Sequence, residues 1–494
     1  MSTAPPPDTY ARGVARDLLL YIPGRAIPAV VQILTVTALT AFFTVEEIGR
    51  YELTFRFVLF LTTCTTLWLN MAMLRYYAAS QAQGEEAAFY GGFGFLKYLN
   101  IAAGAGLGLL AWAFGPDWLV GGYRDLILVG LVVYVAYSFY ETGLIVLRAR
   151  RMPGIYSIAT SLNAGVRLPL AILLFAVFGF GVDGMLWALA ACYGAVYLVL
   201  VSRWVGPPRW PSRPEDRTLL RDVAAYGAPV WVIQILNYLI NTSDRYLLNG
   251  LAGEAEVGYY MVAANLVDQP MWLVFQTFTL AVFPTVAAAW EQRGRADAER
   301  LVGEVTRIFI VLCVPLCVLL AVLARPLFGA LAQGEAVAAQ VAAPWVAAGA
   351  FFYGLSYFAN MGLHLAKRTA WLLGMTALAL GVNVLGNVVL IPDYGFVGAG
   401  MARSVSNFAL VLLVAAASHR FLTWRFPWRS LLRCAGAAAL VGVPLWFAAQ
   451  ALPPNLLSLA ALGTLGLAGY GLLLLVLREV PRALLRDSVQ RVRQ

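Results

Sequence analysis

Charge is what this sequence has least of. Asp, Glu, Lys and Arg make up 12% of its 494 residues, about half of the roughly 25% usual in soluble domains. That excludes a soluble globular body. A Walker A sequence is missing, as is any cluster of metal ligands, and no loop is long enough to fold as a soluble catalytic domain. An enzyme is therefore not expected, nor a cofactor or metal. Cysteine is scarce too. Cys64, Cys192, Cys313, Cys317 and Cys434 all fall in or beside apolar segments, so no disulfide framework is implied. Cys313 and Cys317 stand four apart on one helix, where two thiols make a poor metal site and read as small packing residues.

What the chain has is apolar length. Hydrophobic residues reach 61% and the mean hydropathy is +0.74. Runs of membrane-spanning length recur between short polar loops. The reading is an all-α polytopic membrane protein with fourteen transmembrane helices. They fall near 18–43, 53–79, 92–114, 125–147, 154–178, 183–202, 223–249, 257–288, 303–324, 343–366, 369–391, 395–418, 431–450 and 456–477. The opening MSTAPPPDTYARGVARD is polar and proline-rich and reads as a short disordered tail with no cleavable signal peptide.

The basic residues are unevenly placed. Twenty-seven of the 35 Lys and Arg, Lys97 among them, are assigned to the termini or to even-numbered loops, against Arg50, Arg124 and Arg325 in odd-numbered ones. By the positive-inside rule both termini are expected to be cytoplasmic. The net charge of +9 is thus topological and predicts no nucleic-acid partner. The other five, Arg25, Arg56, Arg167, Arg245 and Arg403, lie inside spans. An arginine at mid-span costs about 2.5–3.5 kcal/mol. Each must reach the interface, find a partner or be used.

The chain also resembles itself. QIL recurs at 32–34 and 234–236, and EEIGRYE (46–52) matches AEVGYYM (255–261). YVAYSFYETGLIVLRAR (134–150) matches YGLSYFANMGLHLAKR (353–368), and FGFGVDGM (178–185) matches YGFVGAGM (394–401). Six spans per copy give parallel repeats, with a substrate path expected near the midplane. The organisation read from this is a tail (1–17), an N-lobe (18–202), a cytoplasmic linker (203–222) and a C-lobe (223–420). An appended pair of spans (421–478) and a basic tail (479–494) follow.

Polar residues within spans should face protein or a wet path rather than lipid. Several line up at three- and four-residue spacing. Such stripes are Tyr21, Arg25, Gln32 and Thr35; Tyr156, Thr160, Asn163 and Arg167; and Gln234, Asn237, Asn241 and Arg245. Others are Asn265, Asp268, Trp272, Gln276 and Thr279; Tyr134, Ser138, Glu141 and Arg148; and Tyr353, Tyr357, Asn360, His364 and Lys367. Together they argue for a hydrated interior. Pro23 and Pro28 remove backbone donors around Arg25 and loosen its helix. Plainer readings stand beside these. Snorkelling accounts for Arg25, Arg56 or Arg245, and a helix junction with Asn407 for Arg403. Glu141 or Asp268 reads as a counter-ion or as a site for a coupling ion, H+ or Na+. Asp244 reads as a packing or interface residue on another face than Arg245, and His364 as a polar core residue.

An interior with more arginine than carboxylate attracts an anion, and the guanidinium fork suits phosphate. This points to a carrier of a phosphorylated amphiphile. SDRYLLNGLAGEAEVGYYMVA (243–263), LIPDYGFVGAGMARSVS (390–406) and the twofold six-span repeat resemble the polysaccharide-biosynthesis (O-antigen type) flippases of the multidrug/oligosaccharidyl-lipid/polysaccharide exporter superfamily. FTVEEIGRYE departs from that pattern, with Thr44 where a glycine is common. The resemblance implies two six-helix lobes and movement of an undecaprenyl-pyrophosphate-linked oligosaccharide from the inner to the outer leaflet. Its implied partners are that lipid-linked oligosaccharide, membrane lipids, and polymerase or assembly proteins. Arg25, Arg56, Arg167 and Arg245, with Gln32, Asn163 and Asn241, are the expected pyrophosphate path, and Asp268 and Glu141 the ion-coupling candidates. Alternatives are a cation or drug antiporter, a lipid II flippase and a non-transporting assembly subunit.

Overall fold

The computed structural model describes residues 23–82, 86–150, 152–205, 214–366, 368–477 and 479. Outside them lie the expected tail 1–17, Tyr21, part of the linker, Lys367 and the tail beyond Glu479. The described elements are helical. In the first half these are α1 (Pro23–Phe42), α2 (Val45–Thr62), α3 (Trp68–Ala82), α4 (Glu86–Phe114), α5 (Ile127–Ala149), α6 (Pro153–Phe178), α7 (Asp183–Val196) and α8 (Pro214–Ala252). In the second they are α9 (Glu254–Gln292), α10 (Arg295–Val322), α11 (Ala324–Leu331), α12 (Ala343–Ala359), α13 (Thr369–Ser418), α14 (Trp428–Ala451) and α15 (Leu456–Val476). The chain divides into two compact units, Met1–Val257 and Gly258–Gln494. In the first, α1 packs on α6 and α5 on α7; in the second, α12 packs on α13 and α10 on α14.

Among the described residues, eleven helical stretches are long and apolar enough to cross a membrane, against fourteen expected over the whole chain. The difference sits at three places. Two are α8 and α9, of 39 residues each, which carry the expected spans 223–249 and 257–288 but include side chains outside the described residues. The third is α13, where one 50-residue stretch covers two expected spans. It folds back on itself, because Asn383 Nδ2 reaches Ser406 Oγ at 3.1 Å. The turn is Gly395, with φ 52° and ψ −133°, a conformation closed to residues with a Cβ. Its counterpart in the internal repeat, Gly179, ends α6 at φ 67°. The match of 178–185 with 394–401 thus marks a positive-φ glycine at each of two hairpin turns, Gly179 with ψ 21° and Gly395 with ψ −133°.

Helix starts also follow local chemistry. Thr44 Oγ1 accepts from the Glu47 amide at 3.3 Å while Glu47 Oε2 accepts from the Thr44 amide at 2.9 Å, a reciprocal capping box. It starts α2 at Val45, eight residues before the expected 53, and draws Arg50 out of the loop into the helix. At the far end, hydroxyls of Thr62, Thr63, Thr65 and Thr66 donate to carbonyls four residues back. Such back-bonding competes with the helix ladder. Residues Thr63–Leu67 widen into a π-turn, and the Cys64 carbonyl accepts instead from Trp231 Nε1 of α8 at 2.6 Å.

In the second unit, Glu479 ties the C-terminal helices down. Its carboxylate accepts from Arg433 at 2.9 Å, Ser430 at 2.9 Å and Arg307 of α10 at 2.7 Å. Burial alone would raise this carboxyl, but the bonds from Arg433, Ser430 and Arg307 outweigh it and hold it below the ordinary carboxylate range. A depressed folded value means the contribution is full above the unfolded value, near 4.3, and is lost as pH falls through the folded one. Thermal unfolding of the purified protein should show an acid-side loss of midpoint that Glu479→Gln lacks, its midpoint lying lower at neutral pH. Gly395→Ala should destabilise by about 1–3 kcal/mol. Gly374→Ala, where a Cβ meets nothing within 4 Å, should not.

Candidate functional site

The expected site residues fall into separate groups. On the first unit, α1 and α6 approach closely beside Arg25. A Cβ on Gly24 would lie 2.7 Å from Thr160 Oγ1, and Ser161 Oγ donates to the Pro23 carbonyl at 3.3 Å. That approach brings Arg167 of α6 to Gln32 of α1, Nη2 to Oε1 at 3.4 Å. Tyr193 bonds to the same guanidinium and Tyr51 lies within its electrostatic reach. Arg25 faces Tyr156. No carboxylate pairs with Arg167 among the described residues. Counting along α6, Arg167 stands about 16 Å from the nearer helix end, so snorkelling does not account for it. Pro169 follows within the helix and removes one backbone donor there.

A second group is charge-balanced. Glu52 of α2 is 2% exposed. Its Oε1 accepts from Arg56 Nε at 2.6 Å and from Arg245 Nε of α8 at 2.9 Å. Arg245 Nη1 also donates to Asp244 Oδ1 at 3.0 Å. Sequence adjacency places Asp244, expected as a packing or interface residue, on another face than Arg245. The structure corrects that, because in a buried site the carboxylate turns to its neighbour's guanidinium, the nearest compensating charge. Two arginines and two acids leave this group neutral. Asn241, one turn before Arg245, donates to the Asn237 carbonyl at 2.7 Å and accepts Arg245 Nη1 on its own carbonyl at 3.1 Å. Asn163, buried at 5% exposure, sits within the α6 packing.

On the second unit, Asp268 Oδ2 accepts from Arg403 Nη1 at 2.6 Å, the counter-ion arrangement of the two considered. Asn407 donates to the Gly349 carbonyl at 3.0 Å. His364 packs edge-on to Phe283 at 5.8 Å. Several striped residues return their donors to their own helices. Thr35, Thr160, Asn265 and Thr279 each bond a carbonyl three or four residues back. Polar spacing along a helix therefore identifies a wet face only after these local bonds are subtracted.

Two charges escaped sequence reasoning. Glu52 was legible, since Glu52 and Arg56 stand at i,i+4. Lys97, counted with a cytoplasmic loop, is instead buried at 4% exposure. Its Nζ donates to the Ser138 carbonyl at 2.9 Å and lies 5.1 Å from the Phe139 ring centroid. It stands inside α4, and its own span boundary at 92 was the missed signal. Glu141 lies within electrostatic reach of Lys97 and Arg148 and is hydrogen-bonded by Tyr137. No group of three metal-ligating side chains occurs among the described residues.

Comparison with known proteins places this geometry in a class. The fold is similar to that of a lipid II flippase, MurJ, in an inward closed conformation. The TM-score is 0.74 at 13% identity, covering 94% of this chain and 99% of that one. It is also similar to an inward-facing multidrug resistance MATE family transporter of the MOP superfamily, with TM-score 0.59 and 14% identity over 81% of this chain and 97% of that one. A MOP superfamily transporter from Pyrococcus furiosus, described as having a binding pocket of reverse polarity, scores 0.56 at 13% identity, over 82% of this chain and 93% of that one. No curated protein matches the sequence. The protein shares the fold of these transporters, and its apolar helices make it a multi-pass membrane protein. A family profile described as polysaccharide biosynthesis protein matches residues 38–332, and the chain belongs to that family.

Removing one partner of a buried ion pair leaves the other charge uncompensated, at about 3–5 kcal/mol. Glu52→Ala should therefore lower the thermal midpoint sharply. Glu52→Ala combined with Arg56→Ala, which deletes one charge of each sign, should recover part of the loss in the same assay.

Proposed function

We propose that the protein is a flippase that moves an undecaprenyl-pyrophosphate-linked oligosaccharide from the inner to the outer leaflet by alternating access. The observation that carries this reading is Arg167. It is a guanidinium deep in a spanning helix, surrounded by an amide and two phenols, with no carboxylate paired to it among the described residues. A permanently charged group held there by neutral partners suits an anion that arrives and leaves. Pyrophosphate offers paired acceptors for the guanidinium fork. Gln32 orients Arg167, and Arg25, one helix away, is the second phosphate contact. Arg56 and Arg245 engage the substrate by exchanging Glu52 for phosphate oxygens. The lobes are 18–202 and 223–420, both termini are cytoplasmic, and Asp268 and Glu141 are the candidates for a coupling ion, H+ or Na+. Membership of the polysaccharide-biosynthesis family supports an oligosaccharide-bearing substrate.

A second reading, a lipid II flippase, shares the pyrophosphate chemistry and is supported by the similarity to a protein of that description. The two differ in the glycan, so transport of each labelled lipid separates them. A cation antiporter is disfavoured, because the α1/α6 group presents guanidinium rather than carboxylate.

In proteoliposomes carrying a fluorescent lipid-linked oligosaccharide, wild type should move the lipid across the bilayer. Arg167→Gln should lose at least about 100-fold of that rate, corresponding to about 3 kcal/mol for a charge-assisted contact, while inserting and purifying normally. It should also fail to complement a flippase-deficient strain. Transport by Arg167→Gln at the wild-type rate would contradict the reading.

A further inference from the structure

The second unit carries a cavity of about 430 Å³ that opens beside the first turns of α10, a volume within the range of small-ligand sites. Its charged lining residues are Glu299, Arg300, Glu304, Arg307 and Arg425, with Thr423 and Trp424 beside them. Two of the charges are already committed. Glu299 accepts from the Thr423 amide and hydroxyl at 2.8 Å each and from Arg295 Nε at 2.8 Å. It therefore acts as a strut that fixes the wall 423–427 against α10. Arg307 is fixed by Glu479 at 2.7 Å. The other lining charges are Arg300, Glu304 and Arg425, and the two arginines are available. Arg300 reaches Glu304 only at 3.8 Å, with both side chains largely exposed, a contact weak enough to exchange. Arg425 is exposed and has no ion-pair partner among the described residues.

An aromatic row runs along the same wall. Trp424 and Phe426 lie 6.0 Å apart and Phe426 and Trp428 4.5 Å apart, and Trp428 is 63% exposed. Tryptophan with arginine marks the level where hydrocarbon gives way to headgroups. The sequence of α10 says the same, since its charged turns, 295–307, precede the apolar run 308–322. A rigid cavity at that level, with two exchangeable arginines and an aromatic edge, matches a phosphate attached to an acyl chain.

We propose that this cavity binds the headgroup phosphate of an anionic phospholipid, held by Arg300 and Arg425 with its acyl chains along Trp424 and Trp428. The site is separate from the α1/α6 arginines and does not depend on the transport reading.

The test uses the full-length protein in phosphatidylcholine nanodiscs doped with phosphatidylglycerol, with bound phosphatidylglycerol counted by native mass spectrometry. Wild type should retain phosphatidylglycerol. Arg300→Gln with Arg425→Gln should retain it about tenfold less, and Arg203→Gln, an exposed arginine elsewhere, should behave as wild type. Glu304→Gln, which frees Arg300, should retain about threefold more and decides the matter if the double variant does not fold. Equal retention by wild type and the double variant, or no gain in Glu304→Gln, would overturn the proposal. Soluble glycerol 3-phosphate binding as tightly as the lipid would overturn the lipid assignment in favour of a free phosphate.

Discussion

A charge removed from water inside a membrane protein must be matched locally, and that constraint orders most of what is seen here. Glu52 stands between Arg56 and Arg245, Asp268 meets Arg403, and Glu479 gathers Arg307 and Arg433. The desolvation of an ion costs several kcal/mol, so these pairs are the condition for keeping charge in apolar helices at all. Arg167 stands out against that background because its described partners are neutral. A site that binds and releases an anion needs such a group, since a resident carboxylate would compete with the ligand.

The same logic governs the uncharged polar groups. In water a threonine or asparagine inside a helix would be solvated; here its hydroxyl or amide turns to the nearest carbonyl of its own helix. In the run Thr62–Thr66 this is done so often that the helix widens into a π-turn, and the carbonyl it exposes bonds Trp231. Packing between α2 and α8 in the first unit is thus partly a consequence of four threonines.

Much of the fold was legible because the forces that make spans act along the chain. Apolar length marked the helices to within a few residues at most boundaries, and the repeat at 178–185 and 394–401 marked two hairpin turns with left-handed glycines. Boundaries failed where side chains extend a helix beyond its apolar run. The Thr44–Glu47 box does so at α2, and i,i+4 pairs such as Arg295–Glu299 do so at α10. The candidate site was legible only by residue type. Arg167 and Gln32 are 135 positions apart, and Glu52 and Arg245 are 193 apart. Which acid compensates which arginine is a tertiary fact without a local pattern. Periodicity found the five intramembrane arginines but did not separate the compensated ones from Arg167.

On the proposed function, Arg167 and its neutral neighbours recognise a pyrophosphate rather than a polyprenyl chain or a sugar. The most direct measurement of this compares binding of undecaprenyl pyrophosphate and undecaprenol to the purified protein in nanodiscs. The pyrophosphate should bind at least about tenfold more tightly, an advantage that disappears in Arg167→Gln. Equal affinity for the two lipids, or an advantage untouched by the substitution, would contradict it.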